Sequence, residues 1–256
     1  MSSVPPVVLV LAGHDPSGGA GIQADIETLC ALGCQATSAL TCLTAQDPDR
    51  VHAVHPVAPA LLARQVRTLA AALPPVALKI GLVPTPELAR TLAELLPALP
   101  AAHRVLDPVL QSGGGRALAT ADALRPLLPL ATLITPNRRE ARLLSGADTP
   151  EACAGRLLDL GAPAVLITGA DEAGADEVVN TLFLPGRTLH WRWPRLPGVY
   201  HGSGCTLASA ITAHLARGLD LERAVAEGQA FTHQALARSR ATGQTQRLPW
   251  RCRLEE

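Results

Sequence analysis

Short runs of Val, Leu, Ile and Ala recur along this chain, and stretches with helical periodicity separate them. Residues 7–12, 36–45, 76–83, 104–109, 132–135 and 164–168 read as strands. Residues 18–32, 59–73, 86–96, 121–128, 138–144, 150–160, 206–217 and 221–237 read as helices. Several ends carry their own signals: Thr85 and Thr149 precede a proline at the first helical position, and Gly33, Gly146 and Gly161 stop helices. Alternation of this kind builds right-handed βαβ units, hence a mostly parallel sheet with helices on both faces. Strands covered on both sides want small aliphatic residues, and the chain supplies them: 48% of residues are hydrophobic and only 2% aromatic. Residues 178–184 and 189–193 predict a hairpin turning at Pro185-Gly186. The tail after Arg238 is polar and arginine-rich, with little periodicity. No repeat, low-complexity segment or linker interrupts the 256 residues, so one domain is expected.

Several function classes recede at this stage. The formal net charge is zero and no basic block stands out, which argues against nucleic acid or an anionic membrane surface as the main partner. No apolar run approaches a membrane span. The opening residues lack a positive n-region and read as a first strand, not a signal peptide. Six cysteines show no CxxC pair or zinc spacing, so reduced thiols and a cytoplasmic protein are expected. Of 22 basic residues only Lys79 is a lysine, either a chance survivor or a place where arginine will not serve.

In parallel sheets, ligands bind beyond the carboxyl ends of the strands. The polar and glycine-rich residues concentrate there: GHDPSGGAG after the first strand, Gln46-Asp47 after the second, then Gly81-Leu82, Asp107-Pro108-Val109, Pro136-Asn137 with Glu140, and HGSGCT after the hairpin. Neither glycine segment is a P-loop or a dinucleotide fingerprint. Gly202, Ser203 and Gly204 precede a helix, so converging N–H groups and the helix dipole make a site for an oxyanion or a transferring phosphoryl group. Cys205 sits at that helix start, where thiol pKa values tend to fall; it suits a base, a nucleophile or a buried structural thiol. Asn137 and Glu140 share a helix face and suit either a hydrated Mg²⁺ or a capping box. Asp107, biased to extended backbone by Pro108, projects over the sheet edge or starts a turn. Asp25 and Gln46 suit a flat heterocycle bearing ring nitrogens and an amino group, or a solvated helix face and a loop amide.

Taken together, AGHDPSGGAGIQADI, TAQ, KIGLV, VLDPV, LITPNRREA and HGSGCTLASAI resemble the hydroxymethylpyrimidine and phosphomethylpyrimidine kinases of thiamin biosynthesis, within the ribokinase-like superfamily. They occur in that family's order from Ala12 to about Leu215. The resemblance implies a three-layer α/β/α fold, ATP and Mg²⁺ as cofactors, and a homodimer. It places Gly13, Asp25, Gln46, Leu82 and Val109 at the pyrimidine, Gly202 and Gly204 in the anion hole, and Cys205 as catalytic base. Asp107, Asn137, Glu140 and Thr168 fall at the nucleotide, with Asp107 and Glu140 on the metal. The implied reaction moves the ATP γ-phosphoryl group to the substrate's hydroxymethyl oxygen or to its monophosphate. The chain departs from the family pattern at Asp47 (usually Asn), Leu82 (usually Met), Thr168-Gly169-Ala170, GVYHGSG, and a tail without the usual Gly-Pro ending. The departures cluster on the nucleotide half. Two rival readings follow: a pyridoxal or pyridoxine kinase, and a non-catalytic pyrimidine-binding regulator.

Overall fold

A computed structural model describes residues 4–171, 176–242 and 245–252. The strands are β1 (Val7–His14), β2 (Gln35–Gln46), β3 (Val51–Pro56), β4 (Ala77–Ile80), β5 (His103–Leu106), β6 (Leu133–Ile134), β7 (Val165–Ile167), β8 (Glu177–Leu184), β9 (Arg187–Pro194), β10 (Val199–Tyr200), β11 (Arg240–Ala241) and β12 (Gln246–Leu248). The helices are α1 (Gly21–Ala31), α2 (Pro59–Ala72), α3 (Pro86–Leu95), α4 (Ala121–Leu124), α5 (Arg138–Ser145), α6 (Pro150–Asp159), α7 (Ser203–Ala216) and α8 (Leu221–Ala237). Nine strands form one sheet in the order β3-β2-β1-β4-β5-β6-β7-β8-β9. β2, β1, β4, β5, β6 and β7 run parallel, while β3, β8 and β9 pair antiparallel at the two edges.

The pleat assigns the two helical layers. On β1, Leu9 and Leu11 join Leu62 and Val66 of α2 and Leu88 and Leu92 of α3. Val8, Val10 and Ala12 face the other way, onto Ile22 and Leu29 of α1 and Ala210 and Ala213 of α7. Further along the sheet the second face packs Val105, Leu133 and Leu166 on Leu207 and Ile211 of α7. Every residue of α7 from Thr206 to Leu215 is buried, which fits a helix without a polar stripe at the centre of its layer. The same alternation turns Lys79 of β4 away from Leu78 and Ile80 and toward α1 and α7.

Three expectations shift. α1 begins at Gly21, not Gly18, because Asp15 ties residues 15–20 into a loop: its Oδ1 accepts from Ser17 N at 2.9 Å and its Oδ2 from Ala20 N at 2.8 Å. The helix expected over 121–128 is α4 followed by a 3₁₀ turn, Arg125–Leu130, which contains Pro126 and Pro129. The aperiodic tail forms β11 and β12, which join β10 in a three-stranded sheet; Gly243 and Gln244, within that tail, lie outside the described residues.

Candidate active site

A cleft of about 730 Å³ opens at the carboxyl ends of the parallel strands. Gly13 and His14 enter it from β1, Gln46 from β2, Leu82 after β4, Asp107 and Val109 after β5, Asn137 and Glu140 after β6, and Thr168 after β7. Gly202, Ser203, Gly204 and Cys205 close the group from the start of α7. Two hydroxyls of β2 brace the neighbouring loops: Thr44 donates to His14 O at 2.7 Å and Thr41 to Leu82 O at 2.6 Å. Gly13 is required by close packing, since a Cβ there would lie 2.7 Å from Cys42 Sγ and 3.4 Å from Leu82.

The glycine loop after β1 and the glycines before α7 form one arch. Gly202 has a left-handed φ of 78°, and a Cβ on it would strike the Gly19 carbonyl. His201 Nε2 lies 2.7 Å from Asp15 Oδ2, linking the two loops. Burial opposes ionisation of Asp15, but the His201 and Ser17 hydrogen bonds hold its carboxyl below the usual range. Gly202 is the N-cap of α7 and offers no side chain to satisfy the first turn, so the backbone N–H groups there face the cleft with the helix dipole behind them.

Beneath the arch lies a charged cluster. Lys79, fully buried, places Nζ 2.9 Å from Asp25 Oδ1 and 3.5 Å from Asp107 Oδ2. Ser209 of α7 donates to Asp25 Oδ1 at 2.7 Å. Burial alone would lower the Lys79 pKa, but Asp25, Cys205 and Asp107 hold it well above the ordinary value, so the ammonium keeps its charge. The placement corrects the expectation for Asp25: it is wholly buried and does not line the cleft, lying behind Lys79, which does. Nor is the thiol of Cys205 lowered on balance, as its place at the helix start led one to expect. Burial pushes it up to about 12, with Asp107 and Asp25 adding to the rise and Lys79 opposing it.

Asn137 and Glu140 form a full capping box on α5, the bland alternative for that pair: Asn137 Oδ1 accepts from Glu140 N at 2.8 Å and Glu140 Oε2 from Asn137 N at 3.0 Å. The box also aims Glu140 at the cleft, where burial and then the Asp107 charge raise its carboxyl to about 8. Asp107 Oδ2 is buried and accepts no hydrogen bond among the described residues. An acceptor-only carboxylate beside a second, proton-holding carboxyl is a donor set that a hard divalent cation fits. On the β8 side, Asn180 Nδ2 and Trp193 Nε1 both donate to Gln229 Oε1, at 2.9 and 3.1 Å, and Trp193 stacks on His233. Sequence reasoning passed over this wall, along with Asp15 and His201. Of the residues the sequence did not place at the site, Lys79 alone was signalled, as the single lysine among 22 basic residues.

A mostly parallel sheet with helices on both faces, a glycine arch on a central helix, and carboxylates at the strand ends define a ribokinase-like kinase. The solved structures agree. A Staphylococcus aureus pyridoxal kinase in complex with ADP superposes with a TM-score of 0.88 at 30% identity, over 96% of this chain and 93% of that one. A phosphomethylpyrimidine kinase from Clostridium difficile gives 0.78 at 33% identity, over 90% and 99%. Within that class the chain belongs to the phosphomethylpyrimidine kinase family, whose model matches residues 15–250. A hydroxymethylpyrimidine/phosphomethylpyrimidine kinase from Synechococcus elongatus is 39% identical over 94% of this chain and 95% of its own length. One from Rhizobium meliloti is 37% identical over 90% of both.

Proposed function

We propose that this chain transfers the γ-phosphoryl group of ATP to the hydroxymethyl oxygen of 4-amino-5-hydroxymethyl-2-methylpyrimidine, and a second to the resulting monophosphate. The observation that carries this reading is the joining, in one cleft, of Gln46, Leu82 and Val109 with the Gly202–Gly204 arch and Asp107. Gln46 supplies an amide that can both donate to and accept from an aminopyrimidine, and Gly13, Leu82 and Val109 flank the ring. The hydroxymethyl oxygen attacks the γ-phosphorus, the bond to the β-phosphate oxygen breaks, and the arch N–H groups stabilise the charge on the transferring group. The attacking hydroxyl's proton goes to Cys205 as thiolate. That form is opposed first by burial and then by the neighbouring carboxylates, and favoured by Lys79 and the helix N-terminus. Asp107 and Glu140 would hold Mg²⁺, which would supply positive charge to offset theirs and that of the phosphates. Asn137 and Thr168 sit where nucleotide phosphates would run. Asp25 supports the site from behind. The working form is a single-domain homodimer in the cytoplasm.

An ATP-consumption assay with Mg²⁺ tests the proposal, with hydroxymethylpyrimidine, its monophosphate and pyridoxal compared side by side and products identified by mass. Turnover on both pyrimidines is expected. The pyridoxal kinases among the structural neighbours motivate a second reading, which turnover on pyridoxal alone would establish. Pyrimidine binding without ATP use would make the chain a regulator.

A further inference from the structure

The C-terminal segment runs from the loop after β2 past His201 to α8 and the start of α7, and its Gln246 lines the cleft. Asp49, in the loop after β2, accepts from Thr245 N at 3.0 Å and from Gln246 N at 2.9 Å. Arg247 O then accepts from His201 N at 3.0 Å, and Trp250 N donates to Ala235 O of α8 at 2.9 Å. Next along the strap comes Arg251, only 2% exposed. Its Nε donates to Thr206 Oγ1 at 2.8 Å and its Nη1 to Glu27 Oε2 at 3.1 Å and Gly18 O at 3.4 Å, while Nη2 donates to Gly19 O.

Two of these contacts converge on one residue. The Thr206 hydroxyl in turn donates a hydrogen bond to Gly202 O at 2.8 Å. Gly19 O is the carbonyl against which Gly202 packs. One guanidinium therefore grips Gly202 from both sides, through Thr206 and through Gly19. A planar fork with five donors can reach a hydroxyl, two carbonyls and a carboxylate at once; a lysine ammonium cannot span them. Near-complete burial of that much charge beside a single half-exposed carboxylate is costly, which a chain-end tether alone would not require.

We propose that Arg251 is a positioning residue for phosphoryl transfer: it fixes the glycine arch from the strap, without touching either substrate. The kinetic side of this inference rests on the kinase reading above. The site geometry does not, so two measurements are paired on the purified full chain. In steady-state kinetics, Arg251→Ala should lower kcat by roughly 30- to 100-fold, as expected for a small misplacement of a preorganised site, with the pyrimidine KM held within about threefold. Arg251→Lys should recover little, and millimolar methylguanidinium should restore part of the Arg251→Ala turnover. In amide hydrogen exchange, residues 17–21 and 203–206 should lose protection together, while β4 and β5 keep theirs. Should Arg251→Ala fail to fold, Thr206→Val keeps the shape, removes the relay to Gly202 and should show the same split. Unchanged kcat in a folded variant, a defect confined to KM, or unaltered protection in both segments would overturn the proposal. A wild-type protein that turns over no pyrimidine would sink the kinase reading instead, leaving exchange to decide the strap.

Discussion

Cys205 concentrates the chemistry and the conflict at this site. A helix N-terminus and the Lys79 charge favour its thiolate, yet burial and two carboxylates win and push it up to about 12. Near neutral pH it is therefore a thiol, unable to accept a proton until the charges around it change. We expect brief iodoacetamide treatment at pH 7.5 to label the exposed Cys30 and Cys252 and to spare Cys205, with the sites read by peptide mass. Rapid labelling of Cys205 would show instead that the helix end dominates. Cys205→Ser should cut kcat by about 100-fold or more with little change in pyrimidine affinity, because loss of a general base costs on that order; near-normal turnover would remove the base assignment. The residue types of this site were largely legible, since Gln46 ends β2, Asp107 and Glu140 follow β5 and β6 where a parallel sheet presents ligands, and Cys205 opens the helix after a glycine turn. Their protonation was not. It depends on Asp25 and Lys79 meeting 54 positions apart in sequence, which no local pattern encodes.

Elements place these groups through their ends. The start of α7 depends on a glycine with φ 78° packed against another backbone, so Gly202→Ala meets two obstacles at once. The left-handed conformation costs about 1–2 kcal/mol for a residue with a Cβ, and the contact with Gly19 then forces the arch apart. That variant should stay folded by circular dichroism, melt a few degrees lower and lose most of its turnover; wild-type kcat would mean the arch tolerates displacement. The start of α5 makes a pH prediction. Glu140 titrates near 8 when folded against 4.5 for its ordinary value, so the folded chain holds a proton the unfolded chain has released. The stabilisation is full below about pH 4.5 and drains away as pH rises to about 8. Without Mg²⁺, the urea midpoint should therefore fall across that window, and Glu140→Gln should flatten the fall. An equal slope in both proteins would contradict the assignment. Long helices such as α2 and α8 declare themselves through apolar spacing, and α3 and α6 through their Thr-Pro starts. β3 and β12 do not, because β3 is a half-exposed edge strand without a clean apolar alternation and the three-residue β12 draws its parallel pairing from β10, distant in sequence.

Taken whole, the molecule is knotted at one buried ion cluster. Lys79 comes from the central strand β4, Asp25 from α1, Asp107 from the end of β5 and Ser209 from α7, so the cluster joins the sheet to one helical layer directly beneath the arch. Such a cluster offers little net stability against a well-packed apolar substitute, but removing one partner leaves a buried charge uncompensated, at about 3–5 kcal/mol. Lys79→Met strands Asp25 with Ser209 as its remaining donor and should lower unfolding free energy by about that amount in urea titrations. Asp25→Asn should cost less, because Lys79 keeps Asp107 at 3.5 Å. The double variant removes both charges and should be more stable than Lys79→Met alone, giving a coupling of about 1–3 kcal/mol. If only the double variant folds, the same conclusion stands; strictly additive losses would show that the two side chains act independently. Turnover should part company with stability in this series. The double variant regains structure, yet it lacks the Lys79 ammonium beneath the arch, so its kcat should stay as low as that of Lys79→Met. A recovery of kcat in step with stability would mean that the cluster only braces the fold. A folded but inactive double variant would mean that the charge itself serves the site above it.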